Sequence, residues 1–422
     1  MSFAQALSGL NAAANNLSVT GNNIANANTT GFKESRSEFV DVYASSIGGA
    51  GKAQPGSGVR VSEVAQQFNQ GSLDVTGNSL DMAINGEGFF TLADNPGDIN
   101  SLVYSRAGAF QVNKEGIVTN AQGQALLAYK PNGTTAADGF SAGVMTTVSL
   151  NTASGLPVAT TKVDLSVNLD VGSPAITSTF DPLNPDTYTK QSPVKVYDSL
   201  GVSHELTTYF VAGTATSSTR DWKAYHYITD DPAHPVSVDT GGSPTTLTFD
   251  SIGKLTVPAN GQVSLKPYVI GTSAANITAK MDYTGSTQLS SDFNIKALKQ
   301  DGLAAGELTG ISIDEGGVIF ASFSNGGSTP LGKVAMTRFS NPQGLTKLGD
   351  STWGQSPASG TPIVGEPGTG NFGLIQSGAL EQSNVDISKQ LVNLIIAQQA
   401  YQANSQTIST ENSIVQTILN IR

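Results

Sequence analysis

The sequence predicts a mainly β chain with paired terminal α-helices, organised as nested domains with an all-β domain inserted at the centre. Three observations predict it. Both ends carry apolar residues at heptad spacing with almost no charge, and inward of them two separated stretches alternate apolar and polar residues between glycine turns. The middle shifts to Thr, Ser, Gly, Pro and Asp with short strand-like runs.

At the N-terminus Phe3, Leu7, Leu10, Ala14, Leu17 and Ile24 recur at steps of four, three and seven, which is coiled-coil spacing. Residues Met1 to Phe32 contain no charged side chain, and seven Asn between Asn11 and Asn28 load the polar face. Asn is a mediocre helix former and Gly21 costs about 1 kcal/mol against Ala, so this helix is marginal alone. The expectation is terminal helices that order on assembly. Thr29, Thr30 and Gly31 end the helix, and Lys33 brings the first charge, where solvent contact is expected to begin.

Phe39 to Val75 reads as an extended connector with strand character, interrupted by a Gly/Ser/Pro loop from Ile47 to Gly58. Beyond Gly77, LDMAINGEGFFTL and YSRAGAFQVNKEGIVTNAQGQALLAY place hairpin turns at Asn85-Gly86 and Glu115-Gly116. GISIDEGGVIFASFSNGG repeats that grammar, with Asp314 to Gly317 in the turn, so the two stretches are expected to share one β domain. Strands at short spacing from about Pro131 to Met281 suggest an inserted sandwich or barrel. The division expected is 1–30 with 385–422 as a terminal helical assembly domain, 31–71 with 361–384 as connector, 72–145 with 286–360 as the first β domain, and 146–285 as the inserted outer β domain.

The closing helix runs from Ile387, with Ile387, Leu391, Leu394, Tyr401, Ile408, Val415 and Leu419 along its seam. Between Gln390 and Arg422 the only charges are Glu411 and Arg422 themselves. A surface helix normally carries Lys and Glu opposite its apolar stripe. A helix without them is suited to neighbours, so the assembly interface is assigned to Phe3, Leu7, Leu10, Leu17 and Ile24 with the seven closing-helix residues.

Composition narrows the chemistry. The net charge of −11 argues against nucleic acid, whose phosphates need a basic face. With no cysteine there is no disulfide framework and no thiolate site. The three histidines, His204, His226 and His234, fit no metal motif and read as structural or surface residues. Gly51-Lys52 lacks both the leading Gly and the Ser/Thr of a P-loop, and Asp314-Glu315 lacks the spacing of a calcium loop. No pair of carboxylates is singled out, so no catalytic, cofactor or metal residues are assigned. The first residues lack the basic and apolar regions of a Sec-type signal, and no run of about 20 apolar residues offers a membrane span. Membrane-surface helices carry Lys and Arg opposite the lipid, and these ends do not.

Four ordered blocks carry a resemblance. LSGLNAAANNLSVTGNNIANANTTGFK (Leu7 to Lys33), GNSLDMAINGEGFF (Gly77 to Phe90), YSRAGAFQVNKEGIVTN (Tyr104 to Asn120) and GALEQSNVDISKQLVNLIIAQQAYQANSQTI (Gly378 to Ile408) resemble the flagellar axial family of rod, hook and hook-associated proteins. Rod members are generally shorter, whereas VKVYDSLGVSHELTTYFV and KALKQDGLAAGELTGISIDEGG resemble the hook members. Lys389-Gln390 stands where the family often has an acidic residue and Gln399 where Arg is common, so those inter-subunit salt bridges are not carried over.

The resemblance implies subunits stacked into a short curved tube that couples rod to filament as a universal joint around the export channel. It implies export as an unfolded chain without a cleaved signal, and a place outside the cell. The implied partners are further copies of the chain, a hook cap protein, the distal rod protein, the hook-filament junction protein and the flagellar type III export apparatus, with no cofactor. Two other readings stay open: a rod or junction subunit of the same family, and a secreted β-rich adhesin trimerised by its helices. One expectation adds physics to the resemblance. Neutral Asn and Gln faces turned to the lumen would not hold passing chains of either charge by Coulomb attraction.

Overall fold

The computed structural model describes residues 3–42, 56–150, 155–215, 220–270 and 274–420. The described residues are mainly β with two long helices, and the chain divides into two compact units. The first comprises residues 1–153, 310–321 and 329–422, and the second residues 154–309 and 322–328.

In the first unit, α1 (Phe3–Ala25) and α2 (Ile387–Asn420) pack side by side. α1 stops at Ala25, four residues before the expected break. There the Asn26 side chain and backbone both donate to the Asn22 carbonyl, and a turn at Asn26–Thr29 replaces the next helical turn. Gly31 then adopts a φ of 69° against the backbone of Ala107, where a Cβ would lie 2.4 Å from the nitrogen. Only glycine fits both demands.

The connector forms an antiparallel hairpin of β1 (Ser35–Asp41) and β2 (Val59–Gln66), with a register shift between Glu38 and Phe39. Most of the loop expected at Ile47 to Gly58 lies outside the described residues. β3 (Leu73–Val75) pairs with Ala379–Glu381, and β4 (Met82–Asn85) pairs with Leu374–Ser377. The N-terminal and C-terminal halves of the chain thus run as ladder partners.

The hairpin expected at Asn85-Gly86 does not form. β4 and β5 (Phe89–Asn95) are consecutive but join different sheets, because Met82, Ala83 and Ile84 are all buried and take the return strand as partner. β5 instead lies between β6 (Asp98–Ser105) and Ala125–Pro131 in a thirteen-stranded sheet, whose other strands come partly from residues 308–365. The Glu115-Gly116 turn does join paired strands, Gln111–Val112 and Val118–Thr119. Ile84, Phe90, Leu92, Leu126, Ile319 and Met336 belong to the core of this unit. Beside it, Phe68 from the connector meets the rings of Phe89 and Trp353 edge-on at 5.6 and 5.7 Å.

The second unit holds a five-stranded and a six-stranded sheet. Val163, Leu165, Val167 and Leu169 alternate along Lys162–Asp170 into a core shared with Phe210, Trp222, Leu247 and Phe249 of the other sheet. His226 is fully buried, with Nδ1 2.6 Å from Asp239 and Nε2 2.5 Å from the Tyr283 hydroxyl. Burial pushes the Tyr283 phenol far above its ordinary value. His204 is also buried, 2.5 Å from Asp230, while His234 is exposed and pairs with Asp231.

Candidate assembly surface

The two helices run antiparallel. Gly9 lies against Asn404, with an added Cβ placed 2.6 Å from the Asn404 side-chain oxygen, and Asn23 meets Gln390. Counting outward from these pairs brings Phe3 level with about Thr410. The last ten residues of α2, about 15 Å of helix, run past the start of α1.

The surfaces in closest contact are small and polar. Ala6, Ala12, Ala13, Thr20 and Asn23 are the buried residues of α1, and Gln390 and Ala397 those of α2. Of the residues assigned to the interface from sequence, Leu10, Leu17, Ile24, Leu394 and Ile408 are half-buried. Phe3, Leu7, Ile387, Leu391, Tyr401, Val415 and Leu419 are exposed. Five aliphatic residues outside the assigned seam, Val392, Ile395, Ile396, Ile414 and Ile418, are exposed as well. α2 therefore presents most of its large apolar side chains outward. The assigned seam falls on a different face because the positions of α2 set against α1, the buried Gln390 and Ala397 and the half-buried Asn404, carry no large apolar residue.

Amide side chains fix the helices to the connector. Asn23 donates to the Ser35 carbonyl at 2.7 Å and accepts from the Ser35 amide at 2.9 Å, and it donates to Gln390 Oε1 at 3.3 Å. Gln390 in turn donates to Glu34 Oε1 at 2.7 Å. Asn384 accepts from the Glu34 amide and donates to the carbonyls of Gln67 and Asn69, and Asn15 accepts from the Ser37 hydroxyl. Of these, Asn15, Asn23 and Gln390 belong to the uncharged faces and are committed to bonds within the chain, which removes them from the expected lumen-facing set. Asp386 caps α2 by accepting from the Lys389 amide at 3.1 Å.

Lys33 overturns the expectation that solvent contact begins there. Its side chain is 0 % exposed, with Nζ 2.6 Å from Glu381 Oε1 and 2.9 Å from the Asn69 carbonyl. Arg106 Nη1 lies 3.3 Å from Glu381 Oε2, and the Gly71 amide donates to Oε1 at 2.9 Å. One buried carboxylate so joins the end of the α1 turn, the connector, the large β region and the strand leading to α2. Burial holds the Lys33 amine below its ordinary value against the opposing pull of Glu381, and burial lowers Arg106 in the same way. Sequence reading missed this cluster. Its only signal was a charged residue at each end of the two terminal blocks, Lys33 in NTTGFK and Glu381 in GALEQSN.

Four family models match along the chain. They are the flagella basal body rod protein (residues 4–33), the flagellar hook protein FlgE/F/G D1 domain (83–177), the flagellar basal body protein FlaE D2 domain (164–303) and the flagellar basal body rod FlgEFG protein C-terminal (376–421). The chain is 38 % identical over 427 residues to the flagellar hook protein FlgE of Salmonella typhimurium, covering all of both chains. It is 37 % identical over 426 residues to that of Escherichia coli, again covering all of both. At greater distance it is 31 % identical over 454 residues to the hook protein of Borreliella burgdorferi, covering 99 % of this chain and 98 % of the relative. A solved hook protein structure from Helicobacter pylori shares the fold, with a TM-score of 0.52 at 18 % identity over 73 % of this chain and all of the other. The comparisons give the adhesin reading no support. The chain belongs to the flagellar hook protein family and is a structural subunit of the bacterial flagellar hook.

Proposed function

We infer that copies of this chain polymerise through α1 and α2 into a short curved tube that joins rod to filament as a universal joint and encloses the export channel. The observation that carries this reading is the outward apolar surface of α2, together with an end that α1 does not cover. Leu391, Val392, Ile395, Ile396, Ile414, Val415, Ile418 and Leu419 are all exposed in the single chain. Each returns roughly 1.5–3 kcal/mol on full burial, which favours a second surface over water. The assigned residues Phe3, Leu7, Leu10, Leu17, Ile24, Ile387, Leu394, Tyr401 and Ile408 belong to the same inner layer.

In this reading residues 1–30 with 385–422 form the assembly domain and 31–71 with 361–384 the strain-absorbing connector. Residues 72–145 with 310–360 form the first β domain, and 146–309, whose strands Thr287–Leu289 and Asn294–Gln300 pair with Lys162–Asp170, the outer domain, which makes wet, repositionable contacts. The chain leaves the cell unfolded through the flagellar type III export apparatus without a cleaved signal and adds beneath a hook cap protein. It meets the distal rod protein at one end of the tube and the hook-filament junction protein at the other. A chain ending at Thr410 tests the inner layer. It is expected to give folded, soluble monomers that form no tubes in electron micrographs, and normal tubes from it would refute the reading.

A further inference from the structure

Beside the buried charge cluster the first unit carries a cavity of about 390 Å³. Phe68, Phe89, Phe339 and Ile363 give it apolar walls, and Arg106 and Arg338 add two guanidinium groups. The Arg106 side chain is 5 % exposed, and its Nη1 and Nη2 are engaged by Glu381 and the Gly86 carbonyl. Its Nε–H is buried with no acceptor, so the wall is one acceptor short. Arg338 Nη1 lies 3.2 Å from Glu87, whose side chain is 70 % exposed. A pair of that kind is weak and open to exchange.

Charge says what this cavity suits. Among the described residues Lys33, Arg106 and Arg338 form ion pairs with Glu381 and Glu87, three cations on two carboxylates, leaving one positive charge in excess at this spot on a chain of net charge −11. Guanidinium groups favour carboxylates, and the phenylalanine walls accept an aliphatic stem. A second copy of the chain supplies such groups in surplus, with 33 Asp and Glu against 22 Lys and Arg.

We propose that this cavity receives an Asp or Glu side chain from a second copy of the chain, with Arg338 exchanging Glu87 for the incoming carboxylate. Arg106, held beneath by Glu381 and Gly86, supplies fixed positive charge at the wall. The contact is lined by residues of the connector and the large β region, none of them in α1 or α2, and rests on the proposed polymer.

The test uses the full chain in two arms. In the first, Arg338→Glu and Arg338→Lys are compared with wild type for the concentration at which tubes appear at low salt. The expected result is at least a tenfold rise for Arg338→Glu, with the Lys variant between, and unchanged thresholds overturn the proposal. In the second, a benzophenone amino acid replaces Ile363 in tubes assembled from equal parts of 14N- and 15N-labelled chains. Cross-links to an Asp- or Glu-containing peptide of a differently labelled chain are expected, and cross-links confined to one chain overturn the proposal. This arm holds even if Arg338→Glu fails to fold. Absence of tubes from wild type rejects the polymer itself, whereas a negative result in these arms with normal wild-type tubes rejects only the cavity contact.

Discussion

Glu381 is the residue on which the first unit's architecture converges. It is fully buried and takes both Lys33 and Arg106, so Glu381→Gln strands two cations away from water. The expected loss in unfolding free energy is about 3–5 kcal/mol, read from a urea titration. Lys33→Met leaves the Arg106–Glu381 pair intact and is expected to lose clearly less. Equal losses would mean that the carboxylate is not the hub. Lys33 also sets a pH dependence. Its folded-state pKa lies below the ordinary 10.5, so between those two values the unfolded chain holds a proton that the folded chain has released. Stability contributed at this site therefore rises with pH across that window. The unfolding free energy of wild type relative to Lys33→Met is expected to grow as pH approaches 10.5, and a flat difference would contradict the burial of the amine. Lys33 was legible in sequence only as the first charge after a neutral helix. Nothing local distinguishes a solvated Lys from one whose partner stands 348 positions away.

At the scale of elements, the helices were the most legible parts because heptad spacing is a local signal. α2 begins at Ile387 as its pattern indicates. Which face meets α1 was not legible. Hydrophobic spacing points to the large aliphatics, whereas close approach at Gly9 selects Ala, Asn and Gln for the contact and leaves the aliphatics outside. The same logic explains the missing hairpin at Asn85-Gly86, since turn chemistry is local while the partners of β4 lie 289 to 295 residues onward. Asn23 is the joint between helix and connector. Asn23→Ala leaves the buried amide and carbonyl of Ser35 unpaired, at about 1–3 kcal/mol for each group. Hydrogen exchange at the Ser35 amide is expected to accelerate by at least tenfold in that variant, and unchanged exchange would show that the clamp is dispensable.

For the molecule as a whole, nesting is what the fold adds to its elements. β3 and β4 find partners in residues 374–381, so the chain leaves its helical end and returns to it along paired strands. Such an arrangement lets a contact made by the helices bear directly on the β region through Lys33, Glu381 and Arg106. Nesting was legible because similar turn-punctuated runs recur on both sides of the Thr/Ser-rich middle. The order of strands within the large sheet was not, because sheet neighbours are chosen by long-range burial. The central claim is that the terminal helices, and not only the β regions, hold copies together. The most direct measurement is hydrogen exchange on the intact chain before and after it assembles in rising salt. The expected result is that residues 3–25 and 387–420 gain strong protection in the assembled form, with the largest gain over the end of α2 that α1 leaves uncovered. Tubes that form while these helices exchange at the rate of the free chain would contradict it.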